Sequence, residues 1–338
     1  MNKTEQGVLQ QNKLACWLVH ILLLLTFCLT HSVSAETLAK DTRLHGNNTQ
    51  KNHVFIIYSP GNTLHSNIIR KLSDNLNLRR PDIIISKVTP EQKIKIVTKH
   101  SDLIIGVGHE GMKSADKHYP ESNKLFISTD PNTYRLDTNK NKNDAVLYMT
   151  QEYCRQIRFI KLLDTQWKTI SILHSQEKPI DSKTIQNCAN RYDIKLYTVS
   201  TTAKENLTVK IKHALHHSDV LLALPDSNIY NSKTVKNILL TSYRYRKPVI
   251  AFSKNFVNAG ALASIHSNTE QIAQSASKLV EQYFDSGKRF IKAINYPDAF
   301  DININRQVFR ALDLSAPDID ELKQALGQPE PDKTGELQ

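Results

Sequence analysis

The stretch DVLLALPDSNIY, residues 219–230, joins a continuous apolar run to an abrupt polar end. Residues Val220 to Leu224 are all apolar, and a run without alternating polar positions is typical of a strand that is covered on both faces. The chain then turns polar in the sequence PDSN, residues 225–228. We therefore predict a buried parallel strand whose polar end either caps the next helix or forms one wall of a binding site.

The same alternation of short apolar runs and helical segments recurs along most of the chain. The predicted strands cover residues 53–59, 82–86, 102–108, 124–129, 168–175, 194–200, 219–224 and 248–253. The segments with helical spacing of apolar residues cover residues 64–76, 90–100, 150–166, 181–192, 203–217 and 232–245. Two such rounds, joined near residues 147–150, predict an α/β protein with two doubly wound parallel-sheet lobes and a hinge.

The amino-terminal segment has the character of a signal peptide. Lys3 and Lys13 precede an apolar core at residues 17–29, and the small residues VSA follow it. This arrangement predicts cleavage after Ala35 and export to the periplasm. The alternative is a membrane anchor formed by an uncleaved signal, although the apolar core is shorter than the about 20 residues of a spanning helix.

The basic character of the chain does not point to nucleic acid. The formal net charge is +11, but the lysines and arginines are spread over every predicted helix. A groove for nucleic acid needs clustered basic residues with interleaved aromatic ones, and no segment shows that pattern. We therefore expect no nucleic-acid partner.

The cysteine count suggests one covalent link. Of the four cysteines, Cys154 and Cys188 follow the predicted cleavage point. Two thiols in an oxidising compartment predict one disulfide, and the alternative is two buried free thiols.

Motifs for metal, cofactor or covalent chemistry are not found. The pair His109–Glu110 lacks the second histidine of a zinc-protease motif, and His216 and His217 are adjacent, so a helix would point them in different directions. The glycines in GVGHEG, residues 106–111, follow the third strand, whereas a dinucleotide loop follows the first. No serine lies in a GxSxG frame. We expect a protein that is not an enzyme and has no metal and no cofactor.

Polar and small residues gather where the predicted strands end. In open parallel sheets, ligands bind beyond the carboxyl ends of the strands, and a cleft between two lobes would collect such residues from both sides. The candidate ligand-binding residues are Ser59, Asn62, Thr63, Gly108, His109, Glu110, Ser128, Thr129, His174, Asp226, Asn228, Phe252 and Ser253.

Asp226 is the most informative candidate, and it has two interpretations. Its carboxylate could pair with the ammonium group of an amino-acid-like ligand. Alternatively, Asp226 only caps the helix that follows. Both hold together if Ser232 is the actual cap and Asp226 points into the cleft.

Several segments together resemble a known family. The region 221–284, with its order of a strand ending in PD, a helix, KPVIAFS and VNAGALAS, resembles the TrpX-like family of ABC-transporter substrate-binding proteins. Residues 102–115, 147–175 and 302–317 resemble other parts of the same family, so the resemblance covers roughly residues 52–320.

The resemblance implies the type I periplasmic binding fold, with three crossovers between lobes. The implied lobes are a first at 52–147 plus 267–290 and a second at 150–266 plus 291–326. The residues themselves predict a signal peptide at 1–35, a polar leader at 36–51 and a disordered tail at 327–338.

The resemblance also implies a function. Members of this family capture a small solute, associated with aromatic amino acids in TrpX-like relatives, and pass it to an ABC permease in the inner membrane. We expect a monomer that binds a small polar, amino-acid-like ligand. The alternative is a ligandless envelope module that regulates or senses through protein partners.

Overall fold

The computed structural model describes residues 51–90, 102–132, 134–137 and 143–328. All of them belong to one compact unit, Lys51–Gln338. The predicted signal peptide, almost all of the leader, the helix expected at 90–100 and nearly the whole tail lie outside the described residues. Among the helices of the described part, none combines the length and the apolar character that crossing a bilayer requires.

The first lobe is built on a fully parallel sheet. Its strands are β1 (Asn52–Ile57), β2 (Ile83–Val88), β3 (Leu103–Val107), β4 (Lys124–Ser128), β5 (Ala145–Tyr148) and β11 (Ile294–Asn295). They are arranged in the order β11-β5-β4-β3-β1-β2. The helices of this lobe are α1 (Thr63–Arg79), α2 (Gly108–His118) and α8 (Thr269–Asp285). Helices α1 and α8 pack together over one face of the sheet, where Leu72 and Ala276 are fully buried.

The second lobe repeats this plan with one antiparallel edge. Its strands are β6 (Thr169–Ser175), β7 (Lys195–Thr201), β8 (Val220–Leu222), β9 (Val249–Ala251), β10 (Ala263–His266) and β12 (Asp301–Ile304). The order is β12-β10-β9-β8-β6-β7, and only the pair of β10 and β12 is antiparallel.

Helices cover both faces of the second sheet. They are α3 (Tyr153–Leu163), α4 (Ser182–Asn190), α5 (Leu207–His216), α6 (Val235–Arg244), α7 (Lys254–Asn258), α9 (Arg306–Ala311) and α10 (Ile319–Gly327). A disulfide joins Cys154 of α3 to Cys188 of α4, with their Cα atoms 4.8 Å apart. This link holds together two neighbouring helices on one side of the lobe. The predicted fold class, two doubly wound parallel-sheet lobes, is confirmed.

Three details differ from the expectations. Strand β5 lies where only a connection was predicted. Gly108 opens α2 instead of ending β3, with φ of +67°, and an added Cβ would lie 2.3 Å from the His65 ring. Strand β11 pairs with β5 of the first sheet, so residues 294–295 belong to the first lobe and not, as predicted, to the second. The backbone explains this last difference, because Val146 donates a hydrogen bond to the carbonyl of Ala293 at 2.8 Å and extends the first sheet by one edge strand.

Candidate ligand-binding cleft

The chain passes between the lobes three times, and hydrogen bonds tie the three crossings together. The first crossing lies between β5 and α3, the second between β10 and α8, and the third between β11 and β12. Gln151 of the first crossing donates from Nε2 to Ser267 Oγ of the second at 2.6 Å. Ser267 Oγ in turn donates to the carbonyl of Ala299 in the third at 2.8 Å. Arg155 fixes the Gln151 amide by donating to its Oε1 at 2.6 Å. The three crossings therefore form a single hydrogen-bonded hinge.

A cavity of about 260 Å3 lies beside this hinge and takes its walls from both lobes. The first lobe contributes Leu64, Thr129, Met149 and Ile272. The crossings contribute Thr150, Gln151 and Ser267, and the second lobe contributes Gln156, Pro225, Phe252, Ser253, Ile265 and His266. Most of the lining surface is apolar, with hydroxyl, amide and imidazole groups set among the apolar ones. Such a surface suits a small ligand whose orientation is fixed by a few polar contacts.

Helix caps fix the positions of several residues that line the cavity. Asn62 Oδ1 accepts a hydrogen bond from the His65 amide, so Asn62 is the N-cap of α1 and Leu64 is the second residue of that helix. Asn268 and Gln271 form a capping box that starts α8, which places Ile272 at the end of its first turn. The first crossing stays attached to β4, because Met149 and Thr150 donate to the carbonyls of Ser128 and Thr129.

Among the described residues that line the cavity, His266 is the one with a titratable side chain. Burial lowers the pKa of its imidazole, Lys254 acts in the same direction, and Asp301 opposes them. The ring contacts Ser264, with 3.3 Å between Ser264 Oγ and His266 Nδ1. At neutral pH the histidine is therefore an uncharged hydrogen-bonding group.

Asp226 lies next to the cavity, but its carboxylate serves the second lobe itself. The side chain is buried, with 5% exposed, and Oδ2 accepts a hydrogen bond from the Ser175 amide at 2.7 Å. Oδ1 accepts one from the Asn228 amide at 3.0 Å, which closes a local turn. Helix α6 begins only at Val235, with Thr234 as its N-cap, so neither Asp226 nor Ser232 occupies that position. The carboxylate ties the carboxyl end of β8 to that of the neighbouring β6.

Three of the sequence candidates line the cavity, namely Thr129, Phe252 and Ser253. The Phe252 ring packs against Phe256, with ring centroids 5.2 Å apart. Ser253 also caps α7 by accepting a hydrogen bond from the Phe256 amide.

The other second-lobe candidates support the loop around Asp226. Asn228 Nδ2 donates to Ser175 Oγ at 3.2 Å, and His174 Nδ1 lies 3.0 Å from the carbonyl of Ser175. These side chains hold the ends of β6 and β8 in place.

The first-lobe candidates, Thr129 apart, do not line the cavity. The Ser59 carbonyl and the Asn62 side chain build the turn before α1, and Thr63 is the first residue of that helix. Gly108, His109 and Glu110 form the first turn of α2, where both side chains are exposed and the His109 Nε2 to Glu110 Oε1 distance is 3.9 Å. Ser128 is fully buried, and its Oγ has no hydrogen-bond partner among the described residues.

Sequence reasoning missed most of the lining because these residues lie in the crossings, in helices, before a predicted polar turn or at the end of β10, which was not among the predicted strands. The missed residues are Leu64, Met149, Thr150, Gln151, Gln156, Pro225, Ile265, His266, Ser267 and Ile272. One signal was present: the sequence IHSN, residues 265–268, places polar residues after an apolar strand and before a capping asparagine. Two further cavities lie outside this cleft. One, of about 360 Å3, is near His109 in the first lobe, and the other, of about 220 Å3, lies between α8 and residues 291–298.

The part of the chain that the structure describes shows no candidate metal site. No group there brings together three or more histidine, cysteine, aspartate or glutamate side chains in a way that could hold a metal ion.

Comparison with known families gives one extended match. The model of a family described as "ABC transporter substrate binding protein" matches residues 85–322. A search of curated proteins gives no match.

Several solved structures share the fold. A conserved domain protein from Vibrio cholerae has a TM-score of 0.54 at 16% identity, covering 81% of this chain and 98% of that one. An ABC domain in complex with L-Trp from Streptococcus pneumoniae has a TM-score of 0.54 at 15% identity, covering 81% and 98%. A ligand-free, open substrate-binding protein with adhesive properties from Clostridium difficile has a TM-score of 0.56 at 15% identity, covering 79% and 96%. At these identities the likeness concerns the fold alone.

Proposed function

Because this chain belongs to the family of ABC transporter substrate-binding proteins, we propose that it captures a small solute in the cavity between its lobes and presents it to an ABC importer. The observation that carries the proposal is the position of that cavity. Its walls come from both lobes and from the hinge, so closure of the lobes would surround a bound molecule on all sides.

The surface of the cavity is consistent with capture. Leu64 is 45% exposed at its rim, and Phe252 is only half-buried although its neighbours hold the ring in place. A ligand that covers these exposed apolar groups removes them from water, which favours binding. The proposed mechanism is binding without chemical conversion.

The resemblance to the TrpX-like family predicts an amino-acid-like solute. The structural relative that contains L-Trp makes an aromatic solute worth testing. The expected ammonium partner, Asp226, contributes less support, because both of its oxygens already accept backbone hydrogen bonds. An aromatic or otherwise apolar body fits the lining better than an ionic end group does.

The proposed partner is the membrane permease of an ABC importer, which would recognise the closed lobes. The family supports this partner, and the proposed location is the periplasm, reached by means of the predicted signal peptide. We further propose that the protein acts as a monomer.

Native mass spectrometry of gently purified protein tests capture directly. We expect a retained small molecule, or a rise in melting temperature with at least one member of a panel of amino acids, amides, nucleosides and sugars, because a ligand that binds only the folded state stabilises it. If no molecule is retained and no compound changes the melting temperature, capture is wrong. Crosslinking to an envelope protein in the same preparation would then favour the ligandless module.

A further inference from the structure

The lining of the cleft is nearly free of ionisable side chains. Among the described residues that form its walls, the polar groups are the hydroxyls of Thr129, Thr150, Ser253 and Ser267 and the amides of Gln151 and Gln156, together with the His266 imidazole. His266 is uncharged at neutral pH, since burial lowers its pKa. A bound solute would therefore meet hydrogen-bonding groups without a formal charge.

Lys254, next to Ser253, is exposed to water, and the charged groups of Asp226, Arg155 and Asp301 are engaged elsewhere. The Asp226 carboxylate accepts two backbone hydrogen bonds within the second lobe. Arg155 donates to Gln151 and to the Pro297 carbonyl, and its guanidinium lies 5.1 Å from the centroid of the Phe300 ring. Asp301 accepts hydrogen bonds from Asn268 and Gln271 at the start of α8. Each of these three engaged charges would have to give up a partner before it could pair with a solute.

Helix starts are a second source of attraction for anions, and side-chain caps use part of that capacity here. In α1 the His65 amide donates to the Asn62 side chain, and in α8 the Glu270 and Gln271 amides donate to the Asn268 side chain. The Phe256 amide of α7 donates to Ser253 in the same way. Helix α3, which supplies Gln156, begins after Glu152 without a side-chain cap, and the negative charge of Glu152 at that end disfavours a second anion. The caps and this charge therefore reduce what the backbone around the cleft offers to a carboxylate.

We propose that the cleft selects an uncharged solute: a small molecule with an apolar body and hydrogen-bonding groups, such as an amide or an alcohol. A charged group entering the cavity would lose its hydration without gaining a counter-ion from the lining. The hydroxyl, amide and imidazole groups of the lining can replace water around neutral polar groups at no such cost. This inference rests on the proposed capture function.

A series of phenyl compounds whose polar ends differ in charge tests the inference. The probes are 3-phenylpropionamide, which is uncharged, L-phenylalanine, which is zwitterionic, 3-phenylpropionate and phenethylamine. Thermal shift and calorimetry would be measured with the purified protein, and any molecule that it retains would be released and identified. The Thr129→Trp variant, which fills part of the cavity, shows whether a signal comes from the cleft.

We expect the amide to bind at least about tenfold more tightly than each charged probe, with its signal lost in Thr129→Trp, or the retained molecule to be uncharged. Binding of a charged probe that equals or exceeds that of the amide, or a charged retained molecule, overturns the inference while leaving capture intact. If no probe and no compound of the broader panel binds and no molecule is retained, capture itself is wrong and the inference is wrong with it.

Discussion

Two polar regions at strand ends of the second lobe look alike in the sequence and differ in the structure. Asp226 follows β8 and His266 ends β10, and each comes after a run of apolar residues. The oxygens of Asp226 accept backbone hydrogen bonds from Ser175 and Asn228, whereas the His266 ring lines the cavity. Asp226 therefore stabilises the second lobe, and His266 faces the site proposed for the solute.

The position of each strand explains the difference. Strand β8 is central, between β9 and β6, so its polar end must satisfy backbone groups at the end of a neighbouring strand. Strand β10 leads directly into a crossing between lobes, where the chain leaves the sheet and opens space beside it. A polar strand end alone therefore does not identify the site, because the end of β8 serves the lobe and the end of β10 faces the cavity.

Removal of the Asp226 carboxylate should give the largest effect. Asp226→Ala leaves the Ser175 and Asn228 amides without their acceptor, and we expect the free energy of unfolding to fall by about 3 kcal/mol. Urea unfolding of the purified variant measures this loss. Ser227→Ala, an exposed neighbour in the same loop, is the matched control and should change stability by less than about 0.5 kcal/mol.

The same variant also separates the two interpretations of Asp226. If the carboxylate paired with a ligand ammonium, Asp226→Ala would weaken binding strongly and change the stability of the ligand-free protein little. That outcome would contradict the structural role described here, and it would restore Asp226 to the ligand site.

The His266 imidazole should give a smaller, pH-dependent effect. Burial lowers its pKa in the folded state below the usual 6.5, so above pH 6.5 neither state holds the proton and the group contributes nothing. As the pH falls below 6.5, the unfolded chain takes up the proton first, and the folded state loses stability relative to it. His266→Gln should remove this part of the loss.

Urea unfolding at pH 7.5 and pH 5.5 measures the difference. The ring is partly exposed, so after solvent screening we expect the variant to lose less stability than the original protein over this interval, by less than about 1 kcal/mol. His65, whose pKa burial also lowers, stays in both proteins and gives the same sign. A variant with an unchanged pH dependence would show that His266 is charged or fully hydrated in the folded state.

Much of the fold was predictable because continuous apolar runs mark strands buried on both faces. The runs in β1, β3 and β8 have this character, and each was predicted within two residues at either end. Strand β11 was not predictable in this way, since its two residues carry no apolar run and it is defined by pairing with β5. Edge strands of this kind depend on a partner that is distant in the sequence.

The candidate site was less predictable than the fold. Thr129, Phe252 and Ser253 were found because they follow strands whose ends face the cavity. Gln151 and Ile272 could not be found, because one lies in a crossing and the other on the first turn of a helix that returns to the first lobe. Their place in the site follows from how the lobes meet, which no local pattern encodes.

The most direct test of capture between the lobes is solute retention, measured by native mass spectrometry, in Phe252→Ala compared with Phe256→Ala. The two rings are both half-buried and both pack against Tyr230, but only Phe252 lines the cavity. The account predicts that Phe256→Ala retains the solute and that affinity in Phe252→Ala falls at least about tenfold. Equal retention by the two variants would contradict binding in this cavity.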